Sequence, residues 1–514
     1  MLGTAIRIAE MSDGCRLRAA VRLDWPPAVR RCGAALVCSF VAGLALAQPP
    51  AFDAALRERI DAFVESERRA SGIPGIALAI VQPGGPAHVR GFGDDGHGNP
   101  ISADTPFPIG SLTKSFTALL VRQAIDAGQL DVDAPVQRYL PWFRVADGKV
   151  LARITLRHLL NQTSGFSRAD GIAPLLRGST ASIDELARGL GKVSLNRPPG
   201  ERFEYSNLNF VLLGAALQAV SGRTWQDLVH AQVLRPLGMD RSFTDHDVAR
   251  QAGMTSLHRM WFGVPVTQRV SLLPGFAPTG SLVASAADMA RYAQMLLAGG
   301  MGPGGRVIST DGVAQLLAPA SPPGRSTLLS ADFQSRYGEG WFVGPFGTAS
   351  DARWHLGNLA SFAAWMVLLP DTQQAVVLLI NANTELPFNE VNAVMSRLPI
   401  GVVNLLRGHP PPQGPSLRSA YLPLNAAAAV AVICVAWLAW WAARTRRALW
   451  SVLMALTAIA AGLALQAMGL NATILSAFAP DLALVLAAMG ALLCLPVALR
   501  GWAWASAAAR VACA

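Results

Sequence analysis

The 514 residues of this chain, 52% of them hydrophobic, suffice for two to three domains and a large core. The formal net charge of +10 lies mainly at the two ends, because residues 1–47 carry six arginines against three acids and residues 421–514 carry five against one. Only +3 remains for the long middle stretch, so the sequence contains no basic patch for nucleic acid, and the charged ends favour a membrane instead.

The first 47 residues predict an export signal with a long n-region. Arg30 and Arg31 precede an apolar run at 33–47, which is short for a membrane span. The segment 45–47 reads Ala-Leu-Ala and fits the small-x-small cleavage rule, which makes Gln48 the first residue of the mature chain. An uncleaved anchor is the alternative.

The stretch 48–407 alternates helical and strand-like patterns. Its first predicted hairpin joins strands 76–81 and 87–92, and its last joins strands 361–369 and 374–380. Apolar residues at helical spacing predict helices at 56–69, 112–127, 154–161, 182–190, 207–220, 225–235 and 286–298. Strands at both ends with helices between them favour an α+β domain, in which one antiparallel sheet has helices packed around it.

The segment 108–116 carries the strongest chemical signal. Ser111 and Lys114 are three residues apart where the predicted helix begins, so both side chains point to one face. A serine hydroxyl becomes a nucleophile when a base takes its proton, and a neutral lysine amine one turn away can be that base. Since the chain has only three lysines, chance places a serine three residues before one roughly 0.2 times. A solvated lysine beside an N-cap serine is the structural alternative.

Two further polar clusters interrupt the pattern. Tyr205 and Asn207 come just before the apolar helical segment Leu208 to Val220. As structural alternatives, Asn207 could cap that helix and Tyr205 could pack in the core. His355, Gly357 and Asn358 come just before an apolar strand. Gly357 would let a backbone edge approach a ligand closely.

Taken together, Ser-x-x-Lys, Tyr-x-Asn and His-x-Gly in this order resemble the serine β-lactamase and penicillin-binding-protein superfamily, in particular its class C β-lactamase-like branch of D-peptidases and esterases. The resemblance covers nearly all of 50–400 and includes the segments 128–141, 154–165, 199–207, 234–239 and 280–285. It implies a β-lactamase-like fold, with an antiparallel sheet flanked by helices and a mainly helical subdomain, and acyl-transfer chemistry.

The resemblance also implies a role for each matching residue. Ser111 would be the acylated nucleophile, Lys114 the base or a partner in proton transfer, and Tyr205 the group that passes the proton to the leaving group. Asn207 would orient Lys114 and the substrate. The backbone N–H groups of Ser111 and Asn358 would form the oxyanion hole.

His355 and Asn358 depart from the family pattern. Many members that bind β-lactams or D-Ala-D-Ala peptides carry Lys or Arg in place of His355, which as a histidine is mostly neutral at pH 7. We therefore expect weaker selection for free carboxylates, which favours an esterase, amidase or D-amino-acid peptidase over a true β-lactamase. Asn358 replaces a residue that is often smaller and so alters the oxyanion edge.

Other kinds of site find less support. His158 and Glu204 are candidates for a Ser-His-acid triad, but the chain has no Gly-x-Ser-x-Gly elbow, and His158 lies in an apolar helix as a core residue would. No His-Glu-x-x-His motif occurs and no cysteine lies between residues 48 and 420, so the sequence predicts neither a metal nor another cofactor. A receptor of the penicillin-binding type that is acylated without turnover is the alternative from another functional class.

A Pro/Gly-rich linker at 408–418 leads to a predicted membrane domain at 419–514. Its three apolar runs lie near 421–443, 449–469 and 482–499, and each approaches the ~20 residues that a helix needs to cross a bilayer. Arginines follow the first and third runs, so the positive-inside rule places residue 420 and Asp481 outside. We expect a membrane-anchored protein whose domain 48–407 acts outside the cytosol on a small-molecule or peptide ester or amide. Nothing in the sequence indicates an oligomeric state.

Overall fold

Strands and helices alternate along most of the chain. The computed structural model describes residues 52–512 apart from 271–272, 322–323, 326–333, 385–388, 446–447, 468–474 and 476–478. The predicted export signal lies outside the described residues. The strands are β1 Gly75–Val81, β2 His88–Gly93, β3 Phe107–Pro108, β4 Leu257–Trp261, β5 Val264–Gln268, β6 Val283–Ala284, β7 Met301–Gly302, β8 Gly305–Arg306, β9 Gly324–Arg325, β10 Gln334–Tyr337, β11 Phe342–Phe346, β12 Ala349–Leu359, β13 Phe362–Leu369, β14 Gln374–Ile380 and β15 Ala382–Asn383.

The helices differ widely in length. They are α1 Ala54–Ser71, α2 Thr113–Asp126, α3 Val136–Tyr139, α4 Leu156–Leu160, α5 Arg168–Leu176, α6 Ile183–Arg188, α7 Asn207–Ser221, α8 Trp225–Val229, α9 Arg235–Leu237, α10 His246–Gln251, α11 Ala277–Gly280, α12 Ala286–Leu297, α13 Thr310–Leu316, α14 Asn389–Leu406, α15 Leu417–Arg444, α16 Ala448–Ala467 and α17 Pro480–Ala512. The helix expected at 225–235 is composite, because a π-helical turn at His230–Leu234 separates α8 from α9.

One sheet in the order β2-β1-β14-β13-β12-β11-β10-β9 forms the centre of the domain. Its first and last long strands are neighbours, since β1 pairs antiparallel with β14 from Ile76 opposite Ile380 to Val81 opposite Ala375. The strands β1, β13 and β14 are buried along their whole length, as continuous apolar runs covered on both faces should be. The expected α+β fold with terminal strands in one antiparallel sheet is confirmed.

Two hydrophobic cores lie on opposite faces of this sheet. One contains apolar residues of α1 and α14, and the other contains those of α2, α7 and α12. Helices α2 and α7 are buried on nearly every side and are therefore surrounded by protein. The start of α2 is therefore fixed within the core, beside the carboxyl-terminal end of β12.

Three helices at the carboxyl end are long and apolar enough to cross a membrane. They are Leu417–Arg444, Leu449–Gln466 and Pro480–Ala503, and little of their surface is buried. These helices overlap the three apolar runs of the sequence. The first and third pack against each other.

Candidate active site

Ser111 lies in a 3₁₀ turn, Gly110–Leu112, that leads directly into α2. Lys114, in the first turn of α2, is fully buried, and its Nζ lies 2.9 Å from Ser111 Oγ. The same Nζ donates to the carbonyl oxygen of Thr279, at 2.8 Å. A neutral amine held in this way keeps one N–H on the Thr279 carbonyl and offers its lone pair to the serine hydroxyl.

Burial lowers the pKa of the Lys114 amine well below its usual value. Its nearest polar partners are a hydroxyl and a carbonyl, and the rings of Tyr205 and Phe210 lie 5.0 and 5.8 Å from Nζ. Among the residues that the structure describes, no carboxylate forms an ion pair with Lys114. Desolvation without a counter-charge favours the neutral amine, which is the form that can accept a proton.

Tyr205 and Asn207 lie on the same cleft as Ser111 but differ in their contacts. Burial raises the pKa of the Tyr205 hydroxyl, and a hydrogen bond with Ser111 lowers it in part. The Asn207 amide donates to the carbonyl oxygen of Gly171 at 3.1 Å. Within the described part of the chain, the carbonyl that orients Lys114 belongs to Thr279, and no hydrogen bond joins Asn207 to Lys114. The sequence offered no signal for this acceptor.

Gly357 lets the edge of β12 pack against the 3₁₀ turn that carries Ser111. A Cβ at this position would lie 1.8 Å from the carbonyl oxygen of Ile109 and 2.8 Å from the backbone nitrogen of Ser111. Only glycine allows that approach. Ser111 and Asn358 both line the cleft, so their backbone N–H groups, the two predicted oxyanion donors, belong to the same site.

His355 is buried beneath the cleft with both ring nitrogens engaged. Its Nδ1 lies 2.7 Å from the carbonyl oxygen of Leu356 and its Nε2 lies 3.1 Å from the hydroxyl of Tyr337. Since a carbonyl can only accept, Nδ1 carries the hydrogen and Nε2 accepts from Tyr337. Burial is the main cause that lowers the pKa of His355 to about 3. The imidazole is therefore neutral, and Tyr337 is a site residue that sequence reasoning missed.

The cleft has a volume of about 440 Å³. One wall consists of partly exposed apolar side chains from α5 and the loop before α11: Ile172, Leu175, Leu176 and Leu273. Three arginines line it as well, Arg168, Arg259 and Arg269, while the lining residues that the structure describes include no Asp or Glu. The cleft thus combines an apolar wall with positive charge, in the size range of small-molecule sites.

The alternative triad residues lie apart from Ser111. His158 caps α4, with Nδ1 accepting from the backbone N–H of Thr155 at 3.2 Å. Glu204 forms an ion pair with Arg197 at 2.8 Å. Both residues therefore have local structural roles. Across the described residues, no group of three or more His, Cys, Asp or Glu is arranged to hold a metal ion.

Comparisons with known proteins agree with this geometry. The family model described as Beta-lactamase matches residues 56–396. Penicillin-binding protein 4 from Amycolatopsis lactamdurans is 33% identical over 266 residues, which are 50% of this chain and 68% of that protein. Protein flp from Staphylococcus aureus strain MW2 is 25% identical over 338 residues, 64% of each protein. The matches thus span about two thirds of these relatives.

Solved structures share the fold at lower identity. D-amino acid amidase from Ochrobactrum anthropi SV3, complexed with L-phenylalanine, superimposes with a TM-score of 0.59 at 21% identity, covering 69% of this chain and 99% of that one. The octameric penicillin-binding protein homologue from Pyrococcus abyssi gives a TM-score of 0.58 at 23% identity, covering 69% and 78%. The family model spans well over half of the chain and includes every predicted site residue. The chain therefore belongs to the β-lactamase family of serine hydrolases.

Proposed function

We propose that this protein is an exported, membrane-anchored hydrolase that cleaves an ester or amide through a covalent acyl-enzyme on Ser111. The observation that carries the proposal is the 2.9 Å contact between Ser111 Oγ and a fully buried lysine amine. A base needs this reach to a nucleophile, and it needs to be neutral near working pH. The lowered pKa of Lys114 supplies the second condition.

In the first half of the reaction, Ser111 Oγ attacks the substrate carbonyl carbon and its proton passes to Lys114. The Tyr205 hydroxyl, beside Ser111, conveys that proton to the leaving alcohol or amine as the C–O or C–N bond breaks. In the second half, water attacks the acyl carbon, the acid leaves, and Ser111 Oγ regains a proton. The backbone N–H groups of Ser111 and Asn358 would hold the oxyanion, at ~3–4 kcal/mol for each donor.

Asn207, Gly357 and His355 complete the proposed site without taking part in bond making. Asn207 lines the cleft and offers an amide to the substrate. Gly357 keeps the β12 edge against Ser111, which sets the spacing of the two oxyanion donors. A neutral His355 leaves β12 without a cation for a substrate carboxylate. This arrangement supports ester, amide or D-amino-acid peptide hydrolysis, including cell-envelope esters, over efficient hydrolysis of β-lactams.

The site of action is proposed from the ends of the chain. The export signal at 1–47 and the arginines that follow the apolar runs favour a catalytic domain at 48–407 outside the cytosol. The three apolar helices supply the anchor, and the linker at 408–418 joins it to the catalytic domain.

Turnover tests the proposal. The full chain, purified in detergent, is assayed with nitrophenyl esters and D-amino-acid amides beside Ser111→Ala, with Ser115→Ala as a matched control one turn along α2. We expect hydrolysis that Ser111→Ala abolishes and Ser115→Ala retains. Hydrolysis unchanged in Ser111→Ala would refute the mechanism. A stable adduct on Ser111 without turnover would identify a receptor instead.

A further inference from the structure

Two of the apolar helices define where a membrane boundary meets the catalytic domain. Arg500 donates to the carbonyl oxygen of Ala442, so the far ends of α15 and α17 lie side by side. Asn425 and Arg444 are 19 positions apart in α15, and Asp481 and Arg500 are 19 positions apart in α17. At 1.5 Å per residue this is ~29 Å, which matches the ~30 Å hydrocarbon core of a bilayer. Asn425 and Asp481 therefore mark the boundary nearest the catalytic domain.

The tip of the β4–β5 hairpin is bound to both boundary residues. The backbone N–H of Phe262 donates to Asp481 Oδ2 at 3.2 Å, and its carbonyl oxygen accepts from Asn425 Nδ2 at 2.9 Å. The next residue, Gly263, packs against Tyr421, where an added Cβ would lie 3.2 Å from the tyrosine Cβ. The tip is thus held at the level where the apolar helices enter the bilayer.

One face of this hairpin carries two exposed valines and leads from the tip to the cleft. Cross-strand partners share a face, and the register pairs Trp261 with Val264 and Arg259 with Val266. Val264 is 59% exposed and Val266 45% exposed, so both side chains leave apolar surface open on this face of the hairpin. Gln268, two residues beyond Val266 on the same face, already lines the cleft. We name Trp261, Val264 and Val266 the hairpin ribbon.

The distance from the membrane boundary to the cleft is short. From Val264 to Gln268 is four strand residues, or ~13 Å at the usual rise of a strand. Gln268, at the far end of this path, lines the same cleft as Ser111 and the apolar wall of Ile172, Leu175 and Leu273. This face, which also carries Arg259 and Gln268, therefore connects the level of the bilayer with the cleft of the reacting serine.

From this path we propose that the substrate is a membrane amphiphile: an ester or amide whose apolar chain remains in, or is drawn from, the bilayer and lies along the hairpin ribbon while its carbonyl reaches Ser111. The inference rests on the proposed hydrolase and on its membrane anchor. Burial of the chain against the ribbon and the apolar wall favours binding in proportion to the apolar area covered. The bonds made and broken at Ser111 are those of the acyl-enzyme reaction above.

The test compares a soluble and a membrane-dissolved substrate. The full chain is reconstituted in phosphatidylcholine vesicles and assayed with the nitrophenyl esters of butyric acid, which is presented from water, and of palmitic acid, which partitions into the bilayer. The variants are Val264→Asp and Val266→Asp. Val248→Asp is the matched control, because that valine is 49% exposed and does not line the cleft. Val266→Thr keeps the shape and strand preference of valine and guards against misfolding.

We expect each Asp variant to lower kcat/KM on the palmitate ester by roughly tenfold, which is a loss of ~1.4 kcal/mol of apolar contact. Val266→Thr should lower it about threefold, and all variants should keep butyrate hydrolysis within about twofold. Unchanged palmitate hydrolysis in the ribbon variants, or equal losses on both esters, would overturn the inference. Butyrate hydrolysis that survives Ser111→Ala would instead refute the hydrolase itself, so the two failures are distinguishable.

Discussion

Replacing Lys114 by methionine should abolish hydrolysis and change how the stability of the fold depends on pH. The buried amine is neutral in the folded protein because burial lowers its pKa, whereas in the unfolded chain a lysine stays protonated up to ~10.4. Between these two pKa values the unfolded state binds one more proton than the folded state. The free energy of unfolding therefore decreases by ~1.4 kcal/mol for each pH unit below ~10.4, until the folded pKa is reached. Lys114→Met removes this dependence.

From pH 10 to pH 8 the stability of Lys114→Met should therefore rise relative to wild type by roughly 3 kcal/mol, or ~5 °C in Tm. Tryptophan fluorescence during thermal unfolding of the full chain in detergent measures the difference. Lys149→Met is the control, since Lys149 is exposed and should leave the pH dependence of wild type unchanged. A stability difference between Lys114→Met and wild type that stays constant from pH 8 to 10 would show that Lys114 is charged in the folded protein. That result would refute its role as a neutral base.

Three further predictions concern the rest of the site. Tyr205→Phe removes the hydroxyl beside Ser111 and should lower kcat by ~10²-fold or more without lowering Tm. Steady-state rates measure the first effect and thermal unfolding measures the second. Gly357→Ala places a methyl group 1.8 Å from the Ile109 carbonyl oxygen, so it should displace the edge of β12. We expect kcat to fall by ~10²–10³-fold as the oxyanion donors move apart. Near-normal turnover would contradict the proposed oxyanion hole. Because the pKa of His355 is about 3 in the folded protein, its contribution to the free energy of unfolding should be flat above pH ~6.5. That contribution should fall by up to ~5 kcal/mol as the unfolded histidine is protonated between pH 6.5 and 3. His355→Asn should lose that slope in urea unfolding at graded pH.

Periodicity and motif spacing predicted the parts of the molecule that depend on local pattern. The paired terminal strands and the approach of Ser111 to Lys114 both follow from spacing along the chain, and both are present. The acceptor that holds Lys114 is a backbone carbonyl, at Thr279, which no side-chain pattern can reveal. Tyr337 was missed because one tyrosine on a short strand has no signature until the fold places it against His355.

The sequence patterns did not predict the β4–β5 hairpin, for a different reason. Its turn residues Phe262 and Gly263 both have positive φ, of 52° and 85°, in a position where Asn-Gly is the usual signal. A bulky residue in that conformation is uncommon and is strained. Asp481 and Asn425 bind the N–H and carbonyl of Phe262, which supplies an external reason for the turn to form. The residues that stabilise this turn therefore lie more than 160 positions after Phe262 in the chain, beyond the reach of a local sequence pattern.

The positions of charge in the site account for the substrate preference expected from the sequence. A cation in place of His355 would be fully buried, where desolvation opposes it. The arginines of the cleft lie instead at its walls, with Arg259 and Arg269 on or next to the hairpin. Arg269 is exposed, so solvent and salt screen its attraction for an anionic group. Discrimination between anionic and neutral substrates should therefore be weak and should decrease as ionic strength rises. It should depend on the arginines on or next to the β4–β5 hairpin rather than on β12.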